Sequence, residues 1–117
     1  MGGTVRSVGF NWLLQRVTAL ILGVGLLVHF FVLHFAIERP VTFAKVQERL
    51  SQPCWVAFDI VLLACALYHA FNGLRGVVMD YAPSASARRT WTWALWIAGL
   101  AAFVFGVLAL VPFAGGK

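Results

Sequence analysis

Long apolar stretches separated by short polar connections dominate this 117-residue chain. The apolar stretches cover about residues 11–37, 54–78 and 91–113, and each exceeds the roughly 20 residues that cross a bilayer as a helix. Consecutive helices joined by short loops pack as antiparallel neighbours. The pattern therefore predicts an all-α fold, with three transmembrane helices running up, down and up in a single domain over residues 1–117.

Composition agrees with a membrane setting. Hydrophobic residues make up 62% of the chain and charged residues only 11%, with a mean hydropathy of +0.88, whereas a soluble domain averages about 25% charged residues. The net charge of +5 comes from basic residues scattered around the predicted spans, so topology explains it better than a nucleic-acid partner. Cys54 and Cys65 have the spacing of neither a metal site nor a disulfide framework.

The connections carry helix signals of their own. Pro40 is expected to end the first span, and the segment "TFAKVQERL" is expected to form one or two turns of surface helix. Ser51 and Pro53 resemble a helix start, with Ser near the N-cap and Pro in the first turn.

One polar segment, "YHAFNGLRGVVMDY" at residues 68–81, lies at the end of the second apolar stretch. Helical spacing places several of its small and polar residues, with one cysteine before it, along one stripe: Cys65, His69, Asn72, Gly73, Gly76 and Asp80. Glycines in a membrane helix let a neighbouring helix or a planar cofactor approach the backbone. The stripe therefore predicts either close helix packing or a cofactor site.

Two readings of His69 follow from its residue type. An imidazole within a bilayer is expensive and usually functional; it can form a hydrogen bond between helices, or it can be an axial ligand of haem iron. Arg75 has two readings as well. It can extend its charge toward the cytoplasmic surface, or it can bind a haem propionate.

The segment "HAFNGLRGVVMDY" resembles the second helix of the small, D-type membrane-anchor subunits of succinate dehydrogenase and fumarate reductase. In that family a haem-ligating His is followed eleven and twelve residues later by Asp-Tyr, a spacing that His69, Asp80 and Tyr81 meet. The first apolar stretch, "NWLLQRVTALILGVGLLVH", is similar to the first helix of the same anchors, which has an Arg followed two positions later by a small hydroxyl residue. The resemblance covers nearly the whole chain.

The resemblance implies partners and cofactors. Such anchors pair with a second, C-type membrane-anchor subunit and attach an iron–sulfur subunit and a flavoprotein subunit to the membrane, while a quinone accepts the electrons. They hold haem b, one or two per complex, so a second axial His is expected from the partner subunit. This chain has neither a Gly-rich dinucleotide motif nor a Cys cluster, so we expect it to be non-catalytic alone and active only as a subunit.

The resemblance also implies roles for individual residues. His69 is the expected haem ligand, with Gly73 and Gly76 leaving room beside it and Arg16 or Arg75 near the propionates. Asp80 and Tyr81 are expected to help form the quinone site. Arg16 can also meet a lipid phosphate or the quinone. His29 is a candidate ligand of a second, distal haem, with helix packing as its alternative, and His34 is expected at the membrane interface.

Two classes of function remain open. The first is a haem b-binding anchor that passes electrons from succinate to quinone, in a succinate dehydrogenase or in a fumarate reductase working in reverse. The second is a cofactor-free membrane scaffold whose His and Gly residues only pack helices. In either class we expect an integral, multi-pass protein of a bacterial inner membrane.

The charged residues predict the orientation of the chain, because cytoplasmic flanks of short-looped membrane proteins carry an excess of Lys and Arg. The N-terminal flank and the second connection hold most of the unbalanced charge, in Arg6, Arg16, Arg75, Arg88 and Arg89. In the first connection Glu38 and Glu48 offset the basic residues. We therefore predict a cytoplasmic N-terminus, and a reporter fused after Lys117 should be active on the outer face. Activity of that fusion in the cytoplasm would contradict the orientation.

Overall fold

The structure is a computed structural model, and it describes residues 5–113. Four α-helices are present: α1 (Val5–Phe31), α2 (Phe43–Leu50), α3 (Pro53–Tyr81) and α4 (Ala85–Leu110). A π-helical turn, Val32–Ala36, extends α1, and a 3₁₀ turn, Val111–Phe113, extends α4. Strands are absent from the described residues, and three of the helical segments are long and apolar enough to cross a membrane. The predicted all-α, three-span fold is confirmed.

The spans are longer at some ends than the hydrophobic stretches predicted. They cover Val5–Ala36, Pro53–Tyr81 and Ala85–Phe113, against about 11–37, 54–78 and 91–113 from the sequence. Hydropathy marks the segment that suits hydrocarbon, whereas the backbone hydrogen bonds of a helix continue into the head-group region. The difference is largest around the second connection, where only three residues separate the end of α3 from the start of α4.

Local signals explain where the helices begin. Pro53 occupies the first turn of α3 as predicted, but Gln52 is the N-cap, whereas Ser51 is the C-cap of α2. The predicted surface helix is confirmed as α2, and its N-cap Thr42 accepts a hydrogen bond from the Lys45 N–H at 3.4 Å. Ser84 caps α4 by accepting from the Ala87 N–H at 3.1 Å.

Helix α3 is the centre of the bundle, since it packs along both α1 and α4. Two glycines permit the closest approaches. A Cβ at Gly25 of α1 would lie only 2.8 Å from Leu62 Cδ1, and one at Gly106 of α4 would clash with Leu63. The molecule is thin and elongated, 52 × 24 × 23 Å, so most of its large apolar side chains face outward. These surfaces suit lipid or other subunits rather than water.

Candidate functional site

His69 lies in the middle of α3 and faces Thr18 of α1. Its Nδ1 is 3.3 Å from Thr18 Oγ1, and Thr18 is buried, with 7% of its surface exposed. The Thr18 hydroxyl donates its single hydrogen to a backbone carbonyl of its own helix, most closely that of Leu14 at 2.7 Å. Because that hydrogen is in use, the hydroxyl can only accept from His69. This arrangement requires the neutral His69 ring to carry its proton on Nδ1, the tautomer in which the Nε2 lone pair is free to bind a metal.

A second set of polar contacts between α1 and α3 fixes how far His69 lies along the bundle and how α3 is rotated about its axis. Gln15 Nε2 donates to the backbone carbonyl of His69 at 3.2 Å, and Gln15 Oε1 accepts from Asn72 Nδ2 at 2.8 Å. One turn closer to the N-terminus of α1, Asn11 Oδ1 accepts from the Tyr68 hydroxyl at 3.3 Å. Hydrogen bonds between helices have no competing water in the hydrocarbon. They hold α1 and α3 in one register around the imidazole.

The surface of α3 beside His69 is open. Gly73 and Gly76 are both exposed, and a Cβ at Gly76 would meet nothing within 4 Å. At Gly73 the nearest side-chain atom is Gln15 Nε2, at 3.5 Å. A flat group can therefore reach the helix backbone next to the imidazole. The role of Gly73 and Gly76 beside a cofactor stays a prediction.

Asp80 and Tyr81 end α3 and are both exposed; Tyr81 has 84% of its surface free. Eleven residues of helix rise about 16 Å, so Asp80 lies that far along the helix from His69. At this end the helix is followed by the short second connection. Both side chains are thus available to a ligand or to another subunit at the membrane surface.

The two arginines predicted near the propionates lie on different sides of the bundle. Arg75 Nε contacts Thr92 Oγ1 of α4 at 3.4 Å. Six residues separate Arg75 from His69 along α3, which turns its side chain about 240° around the helix axis from that of His69. Arg16 lies over the Trp12 ring at 5.3 Å, about 200° around α1 from Thr18. Neither guanidinium contacts His69 in this chain, and the propionate role of both residues stays a prediction.

His29 lies at the opposite end of the bundle, beside an ion pair that the sequence reading missed. Asp59 accepts from both terminal nitrogens of Arg49, at 2.9 and 3.0 Å, and these side chains are only 12% and 8% exposed. His29 Nδ1 is 3.6 Å from Asp59 Oδ1 and has no hydrogen bond within the described residues. A lone Asp in a span and an Arg in an amphipathic helix were the available signals. The role of His29 as a haem ligand stays a prediction.

The sequence also drew attention to His34 and to the two cysteines. His34 lies near the first connection, where its Nδ1 contacts an Arg39 guanidinium nitrogen at 3.0 Å. Cys54 and Cys65 are free thiols. Residues 5–113 contain no group of three or more His, Cys, Asp or Glu side chains suited to holding a metal ion together.

Comparison with known proteins decides the family. A family model described as the succinate dehydrogenase/fumarate reductase transmembrane subunit matches residues 6–109. The chain belongs to this family. A succinate dehydrogenase hydrophobic membrane anchor subunit from Archaeoglobus fulgidus is 32% identical over 99 residues, which cover 85% of this chain and 85% of the relative. The anchor subunit of Thermoplasma acidophilum is 35% identical over 103 residues, covering 86% and 84%.

A third relative extends the match in length. The succinate dehydrogenase hydrophobic membrane anchor subunit of Rickettsia bellii is 28% identical over 112 residues, which cover 95% of this chain and 82% of the relative. Together with the three apolar helices, these similarities confirm the predicted membership of the succinate dehydrogenase anchors. The chain is an integral, multi-pass membrane protein with an anchoring role in a complex with other succinate dehydrogenase subunits.

The Arg49–Asp59 pair should hold α2 onto the bundle. We predict that Asp59→Asn lowers the free energy of unfolding by about 3–5 kcal/mol, because it leaves the buried Arg49 charge without its counter-ion. Thermal unfolding of the purified protein in detergent measures the effect. Glu38→Gln is the matched control, since Glu38 pairs with Lys45 at 3.8 Å while 91% exposed, and it should leave the unfolding midpoint unchanged. Equal, small effects of the two changes would contradict the prediction.

Proposed function

We propose that this chain is the haem b-binding membrane-anchor subunit of a succinate dehydrogenase. In this proposal it attaches the iron–sulfur and flavoprotein subunits to the membrane together with a second, C-type anchor subunit. It then helps pass electrons from succinate to a quinone. Family membership supports the anchoring role, and the geometry around His69 supports the cofactor.

The observation that carries the haem proposal is the 3.3 Å contact between Thr18 Oγ1 and His69 Nδ1. Ligating histidines usually donate their second ring N–H to an acceptor, which fixes the tautomer and the ring plane. The buried Thr18 hydroxyl supplies such an acceptor at 3.3 Å. The exposed glycines at positions 73 and 76 leave the adjacent surface of α3 uncovered. Together they suit a planar cofactor that takes one axial ligand from this chain.

Haem b would supply a one-electron redox centre within the bilayer. The chain's own contribution is to position it. Gln15 and Asn72 hold α1 against α3, and Thr18 orients the imidazole. The second axial ligand is proposed to come from the partner anchor, because one haem ligand per haem is expected on this chain. His29 is retained as a candidate for a second, distal haem.

The quinone site is proposed at the end of α3. The exposed Tyr81 phenol can donate a hydrogen bond to a quinone carbonyl, and the neighbouring Asp80 carboxylate can connect the pocket to protons from water. This end lies where a soluble electron-donating subunit would dock if the N-terminus is cytoplasmic. We place the protein in a bacterial inner membrane in that orientation.

Two variants of the proposal have different consequences. A fumarate reductase would use the same residues in the reverse direction, and direct assays of both reactions on the intact complex distinguish the two. A cofactor-free scaffold would use the Thr18–His69 bond only to pack helices. The spectra of the variants described next decide between a scaffold and a haem protein.

We predict that His69→Ala removes or strongly perturbs the b-type absorbance of the purified complex, because iron loses an axial imidazole. Thr18→Val should weaken haem retention by about 10–100-fold, the usual effect of removing a partner of a ligand, whereas Thr18→Ser should restore it. Absorbance spectra and a pyridine haemochrome assay measure both. His34→Ala, which removes an exposed histidine at the outer end, should be spectrally silent. An unchanged low-spin spectrum in His69→Ala would return His69 to helix packing.

We further predict that Tyr81→Phe slows quinone reduction by about three- to tenfold, the loss expected for one hydrogen bond. Haem content and succinate oxidation by an artificial soluble acceptor should stay near the wild-type values. Tyr68→Phe is the matched control, since this phenol bonds Asn11 deeper in the bundle and should leave quinone reduction unaffected. Parallel loss of both activities in Tyr81→Phe would show instead that the end of α3 holds the complex together.

A further inference from the structure

A groove of about 680 Å³ runs between α3 and α4, and Asn11 of α1 and Asn72 of the polar stripe also contribute to its lining. Its volume lies within the range of about 300–1,000 Å³ that is usual for small-molecule sites. At one end are Arg75 and Thr92, and at the other are Ala64 and Phe103. The wall between them is largely aromatic and aliphatic, with Phe71, Trp96 and Leu100 among its residues. The groove is therefore charged at the Arg75 end and largely apolar beyond it, with Asn11, Tyr68 and Asn72 as further polar groups in its lining.

The polar end carries a positive charge without a counter-ion. Arg75 is half-buried, and its Nε contacts Thr92 Oγ1 at 3.4 Å. Its two terminal nitrogens make no hydrogen bond or ion pair with residues 5–113, and none of the described residues lining the groove carries a carboxylate. A charge at the edge of the hydrocarbon is costly unless it is paired. The geometry thus favours an anion at this end.

Further positive charge surrounds the same end. Arg88 and Arg89 each precede a groove-lining residue of α4 by one helical turn, namely Thr92 and Trp93, and residues four apart lie on the same side of a helix. The Thr92 hydroxyl donates to the Arg88 carbonyl at 2.8 Å, which orients its oxygen toward Arg75. Arg88 and Arg89 therefore lie on α4 one turn beyond the groove residues Thr92 and Trp93 and add positive charge near the Arg75 end.

The length of the groove matches one membrane leaflet. The eleven residues from Thr92 to Phe103 rise about 16 Å, and half of a bilayer's hydrocarbon core is about 15 Å. An anion with an acyl chain would place its charge at Arg75 and its chain along Phe71, Trp96 and Phe103. A small water-soluble anion would leave this apolar length unfilled.

We propose that the α3–α4 groove binds one anionic phospholipid, with its phosphate on Arg75 and an acyl chain along the aromatic wall. The groove lining includes Asn72 but not His69, Gly73 or Gly76, so the lipid would lie next to the proposed haem site, on the α4 side of α3. This assignment gives Arg75 a lipid phosphate in place of a propionate, and it does not depend on whether haem is bound.

The test uses the intact purified complex, equilibrated with vesicles of phosphatidylglycerol and phosphatidylcholine in equal amounts and then extracted in mild detergent. Native mass spectrometry counts the lipids that remain. We expect one phosphatidylglycerol per chain in preference to phosphatidylcholine. Arg75→Gln should weaken its retention on the order of tenfold, the effect of losing charged hydrogen bonds. Leu100→Trp fills the groove at a residue that is 63% exposed and should have a similar effect.

Arg6→Gln provides the matched control. It removes the same charge from an exposed position at the start of α1, near the end of the bundle where α4 begins. This variant should retain the lipid fully. Equal lipid retention in Arg75→Gln and Arg6→Gln would overturn the proposal. Equal retention of the two lipids by the wild type would overturn the anionic selectivity. A changed haem spectrum in Arg75→Gln with unchanged lipid would assign the guanidinium to the haem instead.

Discussion

The hydrogen bond between Thr18 and His69 is the contact that determines how the proposed haem site is arranged. When the Thr18 hydroxyl gives its hydrogen to the Leu14 carbonyl one turn back on α1, its oxygen is left to accept from the imidazole N–H. The bond joins the two helices and selects the ring tautomer at the same time. The amide contacts of Gln15 strengthen this register. In a bilayer, where water cannot compete for these groups, such contacts keep both helices in place.

The three spans therefore have different roles. Helix α3 carries His69, the open stripe and the Asp80–Tyr81 end, while α1 orients the imidazole. Helix α4 packs on the other side of α3 and forms the groove that ends at Arg75. At the end of the bundle opposite Asp80, the buried Arg49–Asp59 pair attaches the amphipathic α2. Within residues 5–113, the buried Arg49 charge is thus paired with Asp59, whereas the half-buried Arg75 makes no ion pair.

Much of the fold was predictable from the sequence, because three long apolar stretches and their short connections admit few arrangements. The stripe with His69, Gly73 and Gly76 was also predictable, since it depends only on helical period. The position of Arg75 toward α4 was not, because helical period gives an angle but not the neighbour that lies there. The Arg49–Asp59 pair was missed for the same reason. Its partners come from two helices whose relative position depends on tertiary packing.

The most direct test of the central claim is an electron cryomicroscopy structure of the intact complex at a resolution that shows side chains. We predict density for a haem whose iron is bound by Nε2 of His69, with Nδ1 of the same ring at hydrogen-bond distance from Thr18 Oγ1. A map in which Nδ1 faces iron, or in which Nε2 of His69 bonds a polar side chain of the partner subunit and no haem is present, would contradict it.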